Sequence, residues 1–159
     1  MSAAEMAVFF FDSSALVKRY AKEPGSAWVR GLTQPKAAHT LYLARITAIE
    51  ITSAITRKLR GGLLSAAQAG ASLGHLRRHL NHRYAILDLT PALADDAMLL
   101  ARTHGLRAYD AVQLSTALAV RDMYRAGGFG SVTLISADQP LNAAATAEGL
   151  TVDDPNLHP

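Results

Sequence analysis

The chain is 159 residues long, half of them hydrophobic and 18% charged, which excludes an intrinsically disordered polymer and is most simply read as one domain over residues 1–159. A chain of this size buries roughly 70% of the surface it exposes when unfolded, so it needs no staple, and with no cysteine it has neither disulfides nor thiolate metal sites. The formal charge of +3 favours a polyanionic partner only weakly.

Residues 1–7 carry no Lys or Arg, and the apolar run behind them is cut by Asp12. The expectation is therefore a soluble, cytoplasmic protein with neither a secretory signal nor a membrane span. Ala7 to Phe11 reads as a short strand buried on both faces, the kind found in parallel sheets. Two helical pieces follow, Ser14 to Tyr20 and Ser26 to Leu32, separated by Pro24-Gly25. His39 to Arg45 alternates towards strand, and Thr47 is placed to cap a helix running to about Arg60, where Gly61-Gly62 stops it.

Ser65 begins another helix, "SAAQAGASLGHLRRHL", and "YAILDL" is a second strand candidate. Thr90-Pro91 supplies a cap followed by proline at the first helical position, with an end near His104-Gly105. "AYDAVQLSTALAV" begins a long apolar helix, "SVTLIS" is a buried strand, "PLNAAATAEG" the last helix and "LTVDD" an edge strand. Strand and helix alternate, which argues for a parallel sheet covered on both faces.

In such a layout strand C-termini and helix N-termini share one edge of the sheet. Asp12 follows the first strand and Asp138 follows "SVTLIS", while Glu50 lies one turn into its helix and Asp110 in the first turn of "AYDAVQLSTALAV". All four can meet there. Two carboxylates about 5 Å apart repel by roughly 3 kcal/mol at an effective dielectric near 20. Protonation of one member offsets this, but a hard divalent cation does so better, and Mg²⁺ or Mn²⁺ suits an all-carboxylate shell.

These segments carry a family resemblance. "FFFDSSALVKRYAKEPGSAWV", "ITAIEITSAI", "LRAYDAVQLSTAL" and "LISADQPLNAAATAEGL" resemble, in order and separation, the four motif blocks of PIN-domain proteins, in particular VapC-type toxins of toxin–antitoxin pairs. The resemblance implies a Rossmann-like three-layer α/β/α sandwich with a mainly parallel central sheet. It also implies a Mg²⁺- or Mn²⁺-dependent endoribonuclease leaving a 5′-phosphate and a 3′-hydroxyl, a VapB-type antitoxin as partner, and a homodimer. Asp12, Glu50, Asp110 and Asp138 match the family's acidic quartet, expected to be both metal ligands and catalytic residues. Asn142 stands where some relatives carry a further acid.

Each acid taken singly has an ordinary alternative: a helix cap for Asp12 and Asp138, the helix dipole for Asp110, and a salt bridge to Arg45 or Lys58 for Glu50. Ser13 and Ser136 read as caps or turn residues. The basic stretch holding Arg77, Arg78, His79, His82 and Arg83 reads as a solvated helix face in preference to a grip on RNA phosphates; His79 and His82 have helical metal spacing, but with no carboxylate near in sequence zinc is not expected there. Lys18, Arg19 and Arg107, closer in sequence to the acids, are better placed to contact RNA.

Tyr109 either stacks on a base or packs beneath the site. Trp28, Val29 and Leu32 form a stripe that reads as core, with part of it available to a partner. Among rival functions, a haloacid-dehalogenase-type phosphatase wants an Asp where Ser14 stands, and a receiver wants a Lys after the late strand, where "SVTLISADQP" has none. A non-catalytic RNA-binding or protein-interaction module that keeps the acids only for folding is the remaining alternative.

Overall fold

In the computed structural model, which describes residues 6–159, five strands form one all-parallel sheet in the order β3-β2-β1-β4-β5. Residues 1–5, on which the leader reading partly rests, lie outside the described residues. The strands are β1 Val8–Phe11, β2 Thr40–Ala44, β3 Ala85–Leu87, β4 Val132–Ile135 and β5 Thr151–Asp153. The helices are α1 Ser13–Tyr20, α2 Ser26–Thr33, α3 Arg45–Arg60, α4 Ala66–His82, α5 Pro91–His104, α6 Ala108–Gly127 and α7 Gln139–Ala147. Short 3-10 turns lie at Pro35–Ala37 and Pro155–Leu157. Among the described residues no helix is long and apolar enough to cross a membrane.

The two-residue period of the strands sorts their side chains into two cores. Phe9, Phe11, Leu41, Leu43 and Ile135 face a layer built from α1 to α4, where Leu16, Val29, Ile51, Ile55 and Leu76 are buried. Phe10, Tyr42, Ala44, Val132 and Leu134 face a second layer built from α5 to α7, where Leu100, Leu114, Val120 and Leu141 are buried. The continuous apolar run at Phe9–Phe11 thus serves both faces, and complete burial of Phe10 and Phe11 contributes about 1.5–3 kcal/mol apiece. The result is the three-layer α/β/α arrangement expected.

One boundary differs in an informative way. The third helix begins at Arg45, directly after β2, with Ala44 at its cap position and no side-chain cap. Thr47, expected to be the cap, is inside the first turn; its Oγ1 is buried and accepts a hydrogen bond from Gln113 Nε2 at 2.8 Å. Caps read at Ser65 and Thr90 are formed, Ser65 as a reciprocal capping box with Gln68 and Thr90 accepting from the Leu93 amide.

The stripe on α2 is core as expected: Val29 is fully buried, and Trp28 and Leu32 pack against the first cluster. Trp28 also stacks on His158, with ring centroids 4.0 Å apart. Nearby, Gly25 holds φ at +82° at the start of α2, and a Cβ there would lie 2.3 Å from the Pro155 carbonyl oxygen. Gly25→Ala is therefore expected to destabilise the fold by about 2–4 kcal/mol, combining left-handed strain with a backbone clash, as read by urea denaturation.

Part of the basic stretch turns inward. Arg77, Arg78 and His82 are exposed, but Tyr20 Oη lies 2.8 Å from His79 Nδ1 and 2.6 Å from Tyr84 Oη. Burial, with Arg19, His75, Arg78 and Arg83 around it, lowers the His79 pKa to about 4. The fold therefore favours the neutral ring. As pH falls from 6.5 towards 4 the unfolded chain takes up a proton that the folded chain resists, so this contribution to stability is present above 6.5 and lost below it. Tm is expected to drop between pH 7 and pH 5 by a few degrees more in the parent than in His79→Gln.

Candidate active site

The four acids come from four separate places and line one cleft of about 540 Å³ at the C-terminal edge of the sheet. That size is ordinary for a ligand-binding cleft. The cleft lies where the sheet order reverses around β1 and β4, the position at which open α/β sheets bind ligands. Ser13, Ser14, Ile49, Ser53, Arg57, Arg107 and Tyr109 also line it.

Asp12 is the N-cap of α1 and only 2% exposed. Its amide donates to the Ile135 carbonyl at 3.2 Å, extending the β1–β4 pairing by one residue, while its Oδ1 accepts from Ser14 Oγ at 2.7 Å and from the Ala15 amide at 3.2 Å. Ser14 Oγ in turn accepts from the Ala137 amide at 2.9 Å, which fixes the Asp12 carboxylate to the turn between β4 and α7. Burial pushes the Asp12 pKa up to about 7, with the neighbouring charges of Glu50 and Asp138 adding to the shift and the two hydrogen bonds opposing it.

Asp138 caps α7, accepting from the Leu141 amide at 2.9 Å. Asp12 and Asp138 are thus both caps and cleft acids, because a cap carboxylate at a strand's C-terminal end already points to the ligand edge. Asp110, in the first turn of α6, has its pKa raised by burial and then by Asp138, against the opposing effect of Arg107. Three helix N-termini therefore converge on the cleft and favour negative charge there.

Glu50 makes neither of the salt bridges weighed for it. Arg45 pairs with Asp88 at 2.6 Å and Lys58 with Glu23 at 3.2 Å, whereas Glu50 accepts from Ser13 Oγ and, at 3.4 Å, from Gln113 Nε2. Ser13 is therefore a partner of the acid on α3 and not a cap. Ser136 is the turn residue expected, its Oγ accepting from the Asp138 amide at 3.2 Å. Asn142 donates to the Ser136 carbonyl at 2.9 Å and is buried beneath the turn.

The basic residues are redistributed. Lys18, 4% exposed, is held by Glu23 at 3.4 Å, and Arg19 bonds Thr33 and lies 3.4 Å from His79, so neither reaches the cleft. Both lie past the first turn of α1, whose axis leads them away from the edge. Arg107 does reach it: its Nε donates to Asp110 Oδ2 at 3.1 Å and its Nη2 to Asp138 Oδ2 at 3.0 Å. Tyr109 is 59% exposed at the rim, which overturns packing beneath the site.

Sequence reasoning missed Gln113 and Arg57 and gave Ser14 no role at the acids. Gln113 sits three residues after Asp110, the spacing that puts two side chains on one helical face, and that was the available signal. Ser14 and Arg57 are placed by tertiary packing and leave no such mark.

The donor set is all oxygen and suits a hard cation. A buried Asp12 carboxylate without a cationic partner among the described residues fits the same chemistry. As the side chains stand, no three His, Cys, Asp or Glu among the described residues are grouped closely enough to hold a metal ion. Arg107 stands between two of them.

A family model for the PIN domain matches residues 9–145. The chain belongs to the PIN-domain family. Among curated relatives, Ribonuclease VapC45 and Ribonuclease VapC49, from two strains of Mycobacterium tuberculosis, are each 30% identical over 157 residues, covering 97% of this chain and all of the relative. The crystal structure of PAE2754 from Pyrobaculum aerophilum superposes with a TM-score of 0.60 at 22% identity, over 98% of this chain and 95% of that one. VapBC2 from Rickettsia felis, bound to a DNA fragment from their promoter, gives 0.60 at 14% identity, over 92% of this chain and 98% of that one. At these identities the solved structures establish the PIN fold alone.

Proposed function

We propose that this PIN-domain protein is a VapC-type toxin, a Mg²⁺- or Mn²⁺-dependent endoribonuclease that hydrolyses RNA phosphodiester bonds. The observation that carries the reading is the convergence of Asp12, Glu50, Asp110 and Asp138, from four separate places in the chain, on one cleft. Full-length similarity to ribonucleases supports it.

Asp12 and Asp138 would hold the cation, Asp110 would share it or orient the attacking water, and Glu50, fixed by Ser13 and Gln113, would act through a water. When bound, the ion shields the non-bridging phosphate oxygens and supports the attacking and leaving oxygens. Ser14 holds the Asp12 carboxylate in place. Exposed Tyr109 and Arg57 offer a stacking face and a cation to the RNA strand at the rim.

The protein works as one PIN unit in the cytoplasm, held inactive by a VapB-type antitoxin. Exposed apolar side chains beside the cleft, Ile49 and Leu89, suit a protein contact and support a homodimer. The decisive experiment incubates end-labelled RNA with the purified protein. Cleavage leaving 5′-phosphate ends is expected with Mg²⁺ or Mn²⁺, and chelation with EDTA is expected to abolish it until the ion is restored. Tight RNA binding with no cleavage under any divalent ion would favour the non-catalytic module.

A further inference from the structure

Arg107 occupies the position just before α6, after the left-handed turn at Gly105, and its side chain is 77% exposed. An arginine so exposed has the whole solvent available to it, yet this one places two different nitrogens on two carboxylates from separate elements, Asp110 on α6 and Asp138 at the start of α7. Both bonds end on the Oδ2 atoms of acids that line the cleft. The second arginine of the cleft, Arg57, donates instead to Ser53 Oγ at 2.7 Å and pairs with none of the four cleft acids. The contrast separates a general basic rim from one cation set into the acids.

We propose that the Arg107 guanidinium is a placeholder for the divalent ion: it holds Asp110 and Asp138 together in the metal-free protein and is displaced when the ion binds. The inference rests on the metal-site reading given above. A guanidinium is a good temporary occupant. Its planar fork bridges two carboxylates, so it offsets their mutual repulsion without help from solvent ions. It is also too large and too singly charged to serve Asp12, which lies deeper and receives only hydrogen bonds from Ser14 and Ala15.

A divalent ion would bring twice the charge, while the exposed ion pairs it must break are individually weak. The apparent metal affinity is then the intrinsic affinity reduced by the fraction of molecules in which Arg107 has left. Once displaced, the side chain remains tethered at the mouth of the cleft beside Tyr109, within the same lining.

The test is a calorimetric Mn²⁺ titration of the full chain without RNA, at pH 8 and about 0.15 M salt, where charges beyond about 8 Å are largely screened. Arg107→Gln is expected to bind Mn²⁺ about threefold to tenfold more tightly than the parent, the loss of two weak exposed pairs. Arg107→Lys is expected to fall between them, since one ammonium cannot fork across both acids. Arg57→Gln is expected to stay within about twofold of the parent, because Arg57 bonds Ser53 and has no ion pair with the four cleft acids for the metal to break. In EDTA, Arg107→Gln is expected to melt a few degrees below the parent, the two acids being left to repel, and to recover with Mn²⁺.

If Arg107→Gln binds no more tightly than the parent, or Arg57→Gln tightens binding equally, the placeholder is overturned while the metal site stands, provided Asp12→Asn still weakens binding. If the parent binds no Mn²⁺, or binds it no better than Asp12→Asn, the metal reading fails and takes the placeholder with it.

Discussion

Replacing Asp12 by Asn is expected to lower RNA cleavage by roughly a thousandfold while leaving the protein folded. Asp12 is the deepest of the four acids, and its two hydrogen-bond donors, Ser14 Oγ and the Ala15 amide, both reach Oδ1. An Asn Oδ1 accepts both bonds, so the cap survives. What is lost is the charge that a divalent ion needs. The stability consequence has a definite sign. Folding raises the Asp12 pKa from 3.8 to about 7, so between those values the folded chain holds a proton that the unfolded chain releases. Parent stability therefore falls as pH rises from about 4 to 7 and levels off above, by up to about 4 kcal/mol. In EDTA at pH 8, Asp12→Asn is expected to melt above the parent, with the gap closing towards pH 5. Added Mn²⁺ should raise the parent's Tm and leave the variant's unchanged. A variant that cleaves RNA at the parental rate removes Asp12 from the site.

Asp110→Asn is expected to cost about a hundredfold in cleavage, with a different stability signature. Asp110 sits against Asp138 on one side and Arg107 on the other. Neutralising it removes a repulsion and a salt bridge together, so Tm in EDTA should stay within a few degrees of the parent at every pH. RNA binding without cleavage should survive, because Arg57 and Tyr109 on the rim are untouched. Single-turnover cleavage alongside RNA binding separates the two effects; loss of binding in proportion to rate would make Asp110 a contact residue.

The fold was legible where local chemistry and tertiary structure agree. An apolar run ended by Asp12, a helix start at Ser65 and a Thr90-Pro91 start each declare an element by themselves, and each is formed. The common edge of the acids followed from parallel topology alone. Thr47 failed as a cap because β2 runs straight into α3, and the hydroxyl was claimed by Gln113, 66 residues away. Lys18 and Arg19 are near Asp12 in sequence but belong to the far end of α1, where Glu23, Thr33 and His79 take them. Arg107 was named as a cation for RNA, yet its place between Asp110 and Asp138 depends on how α6 and α7 approach each other. No pattern in a one-dimensional string encodes that approach.

The two cores on opposite faces of the sheet give the cleft a split parentage. Glu50 rides on α3 in one layer, Asp110 and Asp138 belong to α6 and α7 in the other, and Asp12 stands between them at the end of β1. The carboxylate constellation is thus a vernier that reads the alignment of two independently packed slabs. Shaving a methyl group from either slab slides one half of the scale against the other. Conditional alleles that lose turnover on modest warming, well before they melt, should therefore arise deep in the hydrophobic interior as readily as among the acids themselves.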